Sequence, residues 1–213
     1  MGRGFFVSLE GIDGAGKTTH MGSLRALLQG EGLEVVAVRE PGGTRVSERI
    51  REVLLDSRNQ GMSARAEAFL YAAARAQLVD EVIAPALARG CAVTADRYLD
   101  STLAYQGYGR GLDLVFLTQL NRLAAQNTLP DLTIVLDVPA EVALARRAEA
   151  SLDRLEQEGV VFLERVRQGY LELSRQNPQR MVVVDAARCV EEVGREIAAI
   201  VRARLQVRGH GTH

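Results

Sequence analysis

Five short runs of hydrophobic residues recur along the chain, and each is apolar at consecutive positions instead of at alternate ones. They are residues 5–9, 34–38, 92–95, 132–138 and 181–184. Strands that are buried on both faces have this pattern, which is typical of a parallel sheet covered by helices on two sides. The runs therefore predict a five-stranded parallel sheet inside an α/β domain.

Longer segments with helical spacing of apolar residues separate these runs. They are residues 17–29, 45–55, 64–89, 112–125, 140–147, 155–176 and 190–207. Strands that alternate with helices predict an open, doubly wound α/β fold with helices on both faces of the sheet. Pro85 predicts a break or kink near residues 83–84, because proline lacks an amide hydrogen and crowds the preceding turn. Residues 97–111 are polar and rich in glycine, which predicts a ligand-binding loop after the third strand.

The chain shows no internal repeat, low-complexity tract or linker, so we expect one domain over residues 1–207 and a disordered tail over 208–213. Its 213 residues are 47% hydrophobic, enough for a substantial core, and its net charge of -1 gives no reason to expect nucleic acid or a membrane as partner. Neither a signal peptide nor a membrane-spanning run is visible.

Cys91 and Cys189 have no CxxC partner, which indicates free thiols in a reducing cytoplasm.

Residues 11–18 read Gly-Ile-Asp-Gly-Ala-Gly-Lys-Thr and fit the pattern G-x-x-x-x-G-K-[ST] between a predicted strand and a predicted helix. Glycines let several backbone amides point at one anion, and the helix that follows adds the positive end of its dipole. Lys17 is placed to reach the β and γ phosphates of a nucleoside triphosphate, and the Thr18 hydroxyl to bind Mg²⁺. The pattern predicts a phosphate-loop (P-loop) NTPase fold. The expected nucleotide contacts are Gly11, Ile12, Asp13, Gly14, Ala15, Gly16, Lys17, Thr18 and Thr19.

Lys17 is the only lysine among the 26 basic residues, and this excludes one large class of proteins with a phosphate loop. GTPases of this fold read the base with an Asn-Lys-x-Asp motif, which would need a second lysine. The motif set of protein kinases is also absent. Large motor or remodelling ATPases usually need a longer chain. The loop gives a class of proteins and not a reaction, so other segments must show whether the chain is a kinase for a small acceptor.

Three further segments bear on the acceptor. Residues 39–44, Arg-Glu-Pro-Gly-Gly-Thr, predict a tight turn at the carboxyl edge of the sheet. Asp96 and Arg97 follow the third strand, where a carboxylate can hold a metal and a guanidinium can bind a phosphate. Tyr71 and Arg75 lie one helical turn apart, so a ring can stack on a base while the guanidinium bonds its edge. Each segment also has an ordinary interpretation, namely a strand-to-helix turn, a surface ion pair, and a core tyrosine beside a solvated arginine.

These segments occur together with Ser101-Thr102-Leu103-Ala104-Tyr105-Gln106-Gly107, Pro130-Asp131-Leu132-Thr133, Leu136-Asp137-Val138 and Asp153-Arg154-Leu155-Glu156. In order and spacing the whole set resembles the bacterial thymidylate kinases, over residues 5–207. The resemblance implies phosphorylation of dTMP to dTDP with ATP and Mg²⁺, for dTTP synthesis, by a cytoplasmic homodimer.

The resemblance also implies roles for single residues. Tyr71 stacks on thymine, Arg75 bonds the base edge, and Tyr105 packs against C2′ of the sugar. Asp13 lies near the reacting phosphates, and Arg97 clamps the acceptor phosphate. The remaining acceptor contacts expected are Arg51, Ser101, Thr102 and Gln106, and the expected metal ligands are Thr18 and Asp96.

A mobile arginine is expected outside the phosphate loop, since the loop itself contains none. One branch of the family carries this arginine in a lid, which the resemblance places at about residues 147–155 with Arg147 and Arg154 as candidates. Residues 148–151 read Ala-Glu-Ala-Ser, where related lids often contain glycine. Which arginine reaches the phosphate therefore stays open.

The chemistry of the acceptor separates the remaining alternatives. A phosphate monoester has a second pKa of about 6, so its oxygen is already mostly ionised and needs no general base. A deoxynucleoside kinase of the same fold would instead need a base for a hydroxyl, which Glu10 or Asp96 can supply. A nucleotide sensor without catalysis is the third alternative, and the intact Lys17, Thr18 and Asp96 disfavour it.

Overall fold

The computed structural model describes residues 3–146, 154 and 158–209. Within this part of the chain, five strands form one sheet: β1 (Phe6–Glu10), β2 (Val35–Arg39), β3 (Ala92–Asp96), β4 (Leu132–Asp137) and β5 (Met181–Asp185). The strand order is β2-β3-β1-β4-β5, and every pairing is parallel. The predicted five-stranded parallel sheet is confirmed.

The central and edge strands differ in burial. Every residue of β1 is buried, and β3 and β4 are buried up to their last residue. The edge strands β2 and β5 contain exposed positions, because each has a neighbour on one side only. The expectation that strands are buried on both faces thus holds for the three central strands and is wrong for the two at the edges.

Helical segments cover both faces of the sheet. They are α1 (Lys17–Gly30), α2 (Arg45–Leu55), α3 (Ala64–Leu78), α4 (Ala84–Ala88), α5 (Leu99–Thr102), α6 (Leu114–Ala125), α7 (Ala140–Ala145), α8 (Gly159–Gln176) and α9 (Val190–Gly209), with a 3₁₀ turn (Ser57–Asn59) and two π-helical segments (Val79–Ile83 and Leu103–Gly109). Neighbouring residues of β1 point to opposite faces. Val7 and Leu9 join a core with α1, α8 and α9, whereas Phe6 joins a second core with α3, α4 and α6. No described helix has the length and apolar character needed to cross a membrane.

The helix around Pro85 is distorted without ending. α3 runs into the π-helical segment Val79–Ile83, which continues directly as α4 with Pro85 near its start. Proline has no amide hydrogen to donate to the preceding turn, and its ring crowds that turn. A π-helical turn widens the helix and so makes room for the ring. The predicted kink near residues 83–84 is therefore a widened turn just before the proline.

The glycine-rich segment after β3 is helical, so the prediction of a loop over residues 97–111 is wrong. It consists of α5 and the π-helical segment Leu103–Gly109, and most of its residues are buried. A Cβ atom on Gly107 would lie 2.5 Å from Leu114, and one on Gly109 would lie 2.7 Å from the ring of Phe162. These glycines therefore allow close packing against α6 and α8 instead of giving the chain freedom.

Two expectations fall on residues that the structure does not describe. The predicted lid at residues 147–155 lies outside the described part, with the exception of Arg154. At the carboxyl end, α9 extends through Gly209, and residues 210–213 of the predicted tail lie outside the described part.

Candidate active site

The phosphate loop joins the end of β1 to the start of α1 and lies tightly against its neighbours. Gly14 has φ +87°, and a Cβ atom there would lie 2.1 Å from the carbonyl oxygen of Ala143. Gly11 has φ +134°, and a Cβ atom there would lie 2.5 Å from the carbonyl oxygen of Leu136. Both positions thus require glycine for conformation and for space, which fixes the loop at the carboxyl end of β4.

Lys17 is folded into this loop. Its Nζ donates hydrogen bonds to the carbonyl oxygens of Gly11 and Ile12, both at 3.1 Å, and lies 3.7 Å from Oδ1 of Asp13. Burial lowers the pKa of Lys17 to about 8, the charge of Arg97 adds to this effect, and Asp13 opposes it. The amine is therefore held where burial disfavours its charged form, and an anionic ligand beside it would favour that form.

Arg97 connects the phosphate loop to the rest of the site. Its backbone has φ +69°, a left-handed conformation that is uncommon for residues other than glycine and is often found at functional sites. Its guanidinium donates to Oδ1 of Asp13 at 2.7 Å, to the carbonyl oxygen of Gly11 at 2.9 Å and to the hydroxyl of Tyr105 at 2.9 Å. Burial alone would raise the pKa of Asp13, but the charges of Arg97 and Lys17 hold it well below its usual range.

Glu10 lies beneath Arg97 and has no exposed surface. Its carboxylate accepts hydrogen bonds from the backbone amide of Tyr98 at 2.7 Å, the hydroxyl of Ser101 at 2.6 Å and the hydroxyl of Tyr170 at 2.9 Å. The same two hydroxyls accept hydrogen bonds from Arg97, each at 3.2 Å. Burial, helped by the charge of Asp100, raises the pKa of Glu10 to about 7, although the donors and Arg97 act in the opposite direction.

Arg75 is buried, so its interpretation as a solvated arginine is wrong. It forms an ion pair with Glu40 at 2.7 Å and donates to Oδ1 of Asn121 at 2.6 Å and to the hydroxyl of Thr102 at 3.0 Å. Burial raises the pKa of Glu40 even though Arg75 opposes the shift. The turn after β2 thus supplies the buried counter-charge that holds Arg75 in place.

Two cavities open at this edge of the sheet and share part of their lining. A large one of about 580 Å³ follows the phosphate loop, and a narrow one of about 90 Å³ lies beside α3 and α5. The residues common to both are Asp13, Glu40, Arg51 and Arg97. Arg51 donates to the carbonyl oxygen of Pro41 at 2.9 Å, at the junction. Two guanidinium groups and two carboxylates therefore lie where the two cavities meet.

Most of the residues predicted from sequence meet in these two cavities. The large cavity is lined by Asp13, Gly14, Ala15, Gly16, Lys17, Thr18, Thr19 and Asp96, and the narrow one by Arg51, Tyr71, Arg75, Arg97, Ser101, Thr102, Tyr105 and Gln106. Gly11 and Ile12, at the start of the loop, are buried, and their carbonyl oxygens accept hydrogen bonds from Lys17.

The donor set suits Mg²⁺. The Thr18 hydroxyl is exposed and the Asp96 carboxylate half-buried, both in the large cavity. Among the described residues no cluster of three or more His, Cys, Asp or Glu side chains is able to form a complete metal cage. Mg²⁺ is commonly held by one or two protein oxygens together with substrate phosphates and water, so few protein ligands are needed.

Of the two lid candidates, only Arg154 is among the described residues, and Arg147 lies outside them. Arg154 is buried, forms an ion pair with Glu67 at 2.5 Å and donates to the carbonyl oxygen of Leu54 at 2.9 Å. It therefore lies beside α3, and it is not among the described residues that line the two cavities.

Sequence reasoning assigned no role to several residues that shape the site. They are Glu40, Glu67, Tyr170 and, in the lining of the large cavity, Arg188. Arg146, which directly precedes the predicted lid, also lines the large cavity. For Glu10 the sequence indicates only the role of a base for a hydroxyl acceptor. Glu40 was within reach of sequence reasoning, because it directly follows a buried strand and precedes Pro-Gly-Gly at the edge where ligands bind. The other positions carry no local motif.

Phosphoryl transfer between two anionic ligands requires a triphosphate site that opens into a second site with positive charge. The fold and the paired cavities indicate a phosphate-loop kinase for a small acceptor.

The sequence model of the family described as thymidylate kinase matches residues 9–197. The chain therefore belongs to the thymidylate kinase family, and it phosphorylates dTMP to dTDP with ATP. It is 53% identical over 206 residues to the thymidylate kinase of Desulforudis audaxviator, an alignment that covers 96% of this chain and 93% of that protein.

Other relatives show the same coverage. The thymidylate kinase of Symbiobacterium thermophilum is 48% identical over 209 residues, which cover 97% of this chain and 98% of that protein. The crystal structure of the thymidylate kinase from Ehrlichia chaffeensis matches the fold with a TM-score of 0.76 at 32% identity, and covers 93% of this chain and 99% of that chain.

Proposed function

We propose that this kinase transfers the γ phosphoryl group of ATP in line to the phosphate of dTMP, without a general base. The observation that carries the proposal is the position of Arg97, which lines both cavities and binds the phosphate loop at Gly11. A cation at this junction faces the donor and the acceptor phosphates together. Because the acceptor oxygen is already ionised, positioning and charge neutralisation are the tasks left to the protein.

On the donor side, Lys17 binds the β and γ phosphates in this proposal. Its two hydrogen bonds to loop carbonyl oxygens would be exchanged for bonds to phosphate oxygens. Asp13 holds Arg97 in place through their 2.7 Å ion pair. Thr18 and Asp96 would hold Mg²⁺, which when bound supplies positive charge at the β and γ phosphate oxygens.

On the acceptor side, the narrow cavity takes the nucleoside of dTMP. Tyr71 stacks on thymine, Arg75 bonds the base edge, and Tyr105 packs against the sugar. Ser101, Thr102 and Gln106 complete the lining of this cavity, and Arg51 at the junction is a second contact for the phosphate. The support for these roles is that Arg75 and Tyr105 line this cavity and are held there by hydrogen bonds to Glu40, Asn121 and Arg97.

An arginine from the lid completes the cationic site in this proposal, with Arg147 and Arg154 as the candidates. Closure over both substrates would also exclude water and limit hydrolysis of ATP. Since Arg154 contacts Glu67 in this structure, the role requires that it leave that contact when the substrates bind.

A coupled assay of ADP release across several acceptors tests the proposal. We expect release with dTMP, weaker release with dUMP and none with thymidine. Release with thymidine would support a deoxynucleoside kinase with Glu10 or Asp96 as the base. Nucleotide binding without ADP release for any acceptor would support a sensor.

We also propose that the protein is a homodimer. Exposed apolar side chains lie on α2, α3 and α6, which pack side by side: Val46, Val53, Phe69, Val115 and Leu123. Sedimentation equilibrium should give a dimer for the wild type and a monomer for Phe69→Glu. Val161→Glu, on the exposed face of α8, is the matched control that should remain a dimer. A monomeric wild type would contradict the proposal of a homodimer.

We propose that the enzyme acts in dTTP synthesis, because dTDP is the product of its reaction, and that it does so in the cytoplasm. The two cysteines support a reducing compartment, since Cys91 is a buried thiol and Cys189 an exposed one, and neither is in a disulfide.

A further inference from the structure

Glu67 is a buried carboxylate at the start of α3, behind the narrow cavity, and the reaction described above gives it no task. It has no exposed surface. Its Oε1 accepts a hydrogen bond from Nε2 of Gln106 at 2.7 Å, and its Oε2 faces Arg110 at 3.2 Å and Arg154 at 2.5 Å. A buried carboxylate with two guanidinium partners is a stable acceptor of hydrogen bonds.

This carboxylate decides which end of the Gln106 amide faces it. A glutamine amide has a donor end, the NH₂ group, and an acceptor end, the carbonyl oxygen. A carboxylate can only accept, so the NH₂ group must face Glu67. The carbonyl oxygen is then the end that remains for the narrow cavity, which Gln106 lines.

Arg75 supplies the same cavity with a hydrogen-bond donor. All the polar atoms of a guanidinium are donors, and Arg75 is held in place by Glu40 and Asn121. The cavity therefore offers a donor from Arg75 and an acceptor from Gln106. A thymine edge has a carbonyl oxygen at C4 and an N–H at N3, which match this pair. A cytosine edge has an amino group at C4 and a bare nitrogen at N3, which reverse both contacts.

We propose that Glu67 is a positioning residue for base selectivity: by fixing the amide of Gln106, it makes the cavity accept 4-oxo pyrimidines and reject 4-amino pyrimidines. This inference rests on the proposed function, because it takes the narrow cavity as the base site. Glu67 itself does not touch the nucleotide and acts only through Gln106.

The Glu67→Gln variant tests the inference. A glutamine at this position can donate as well as accept, so the amide of Gln106 loses its fixed orientation. We expect the ratio of kcat/KM for dTMP to kcat/KM for dCMP to fall by about 10-fold or more, because rejection of a base by mismatched hydrogen bonds depends on a rigid polar partner. A role limited to folding would lower both values by the same factor and leave the ratio unchanged.

Glu158→Gln is the matched control. Glu158 also forms an ion pair with Arg110 but has no contact with Gln106. The control removes a carboxylate from the same arginine, and the ratio should stay at its wild-type value. A change in the ratio as large as that of Glu67→Gln would overturn the inference, since loss of charge near Arg110 would then be sufficient.

A second variant covers the case in which Glu67→Gln does not fold. Gln106→Met keeps the length of the side chain and removes the amide, so the ratio should fall here as well. An unchanged ratio in Gln106→Met would overturn the inference, because Glu67 would have no amide to act through. A wild-type enzyme with no preference for dTMP over dCMP would instead count against the base site itself, and this separates the failure of the two proposals.

Discussion

At the scale of single residues, the site depends on buried carboxylates that hold cationic groups and hydroxyls in place. Glu10 is the clearest case, because three donors converge on it and two of those donors also contact Arg97. An ionised Glu10 draws the protons of the Ser101 and Tyr170 hydroxyls toward itself. Their lone pairs are then directed to Arg97.

The raised pKa of Glu10 predicts a pH dependence of stability. In the folded state the pKa is about 7, above the ordinary value of 4.5, because burial and the charge of Asp100 disfavour the ionised form. Between these two pH values the folded protein binds the proton more tightly than the unfolded chain does. The contribution of Glu10 to the free energy of unfolding therefore falls as pH rises from 4.5 to about 7, and stays constant above that.

Glu10→Gln removes this titration. The decrease in the free energy of unfolding between pH 5 and pH 8 should become smaller in the variant, by on the order of 2–3 kcal/mol. Urea denaturation at several pH values measures the difference. Identical pH profiles for the variant and the wild type would show that Glu10 keeps an ordinary pKa in the folded protein.

At the scale of elements, the phosphate loop and the sheet were predictable, because their signals are local. The loop has fixed spacing between Gly11, Gly16 and Lys17. The strands are short apolar runs, and most of their predicted ends lie one residue from the ends seen in the structure. The segment Leu103–Gly109 was not predictable in this way. Its glycines resemble those of a loop until the rings and side chains that pack against them are known.

The contacts that shape the cavities join positions far apart in the chain. Glu40 meets Arg75 from 35 residues away, Glu67 meets Gln106 from 39, and Glu10 meets Tyr170 from 160. The sequence does not distinguish a buried glutamate that has a partner from a solvated one. The topology does distinguish them, because it brings α3, α5 and α8 to one edge of the sheet.

Gly109 is expected to set the distance between the π-helical segment and α8. A Cβ atom there would lie 2.7 Å from Phe162 and 3.0 Å from Val166. Gly109→Ala should therefore lower the free energy of unfolding by about 1–3 kcal/mol through overpacking. It should also raise KM for dTMP, since Tyr105 and Gln106 lie in the same segment.

Gly22→Ala is the matched control for this variant. Gly22 lies within α1 and a Cβ atom there would meet no neighbour within 4 Å. The control should be as stable as the wild type or more stable by up to about 1 kcal/mol, because alanine favours the helix. Equal losses in both variants would mean that the contact with α8 is not the cause.

At the scale of the whole molecule, Arg154 belongs to the predicted lid and contacts Glu67 at the start of α3. If it leaves Glu67 to reach the transferred phosphate, Arg154→Ala should lower kcat by roughly 10³-fold or more, the effect typical of an arginine that acts in the transition state. Steady-state measurements with saturating ATP and dTMP give kcat directly.

Arg110→Ala is the appropriate comparison, because it also removes an ion-pair partner of Glu67 but lies outside the lid. It should lower kcat far less than Arg154→Ala. Similar losses for the two variants would show that Arg154 serves only as a partner of Glu67, and would leave Arg147 as the remaining candidate.

Lys17 combines two properties described separately above: it is the only side-chain amine in the sequence, and that amine lies inside the phosphate loop. An acylating reagent therefore has a single side-chain amine as target, and its peptide is distinct from the one that carries the terminal α-amine. If a bound nucleotide covers Lys17 as proposed, the yield of the acylated Lys17 peptide, measured by mass spectrometry, should fall in proportion to the fraction of loops that hold a nucleotide. Occupancy of the active site can thus be followed with unlabelled ATP, ADP or inhibitors, and without a turnover assay.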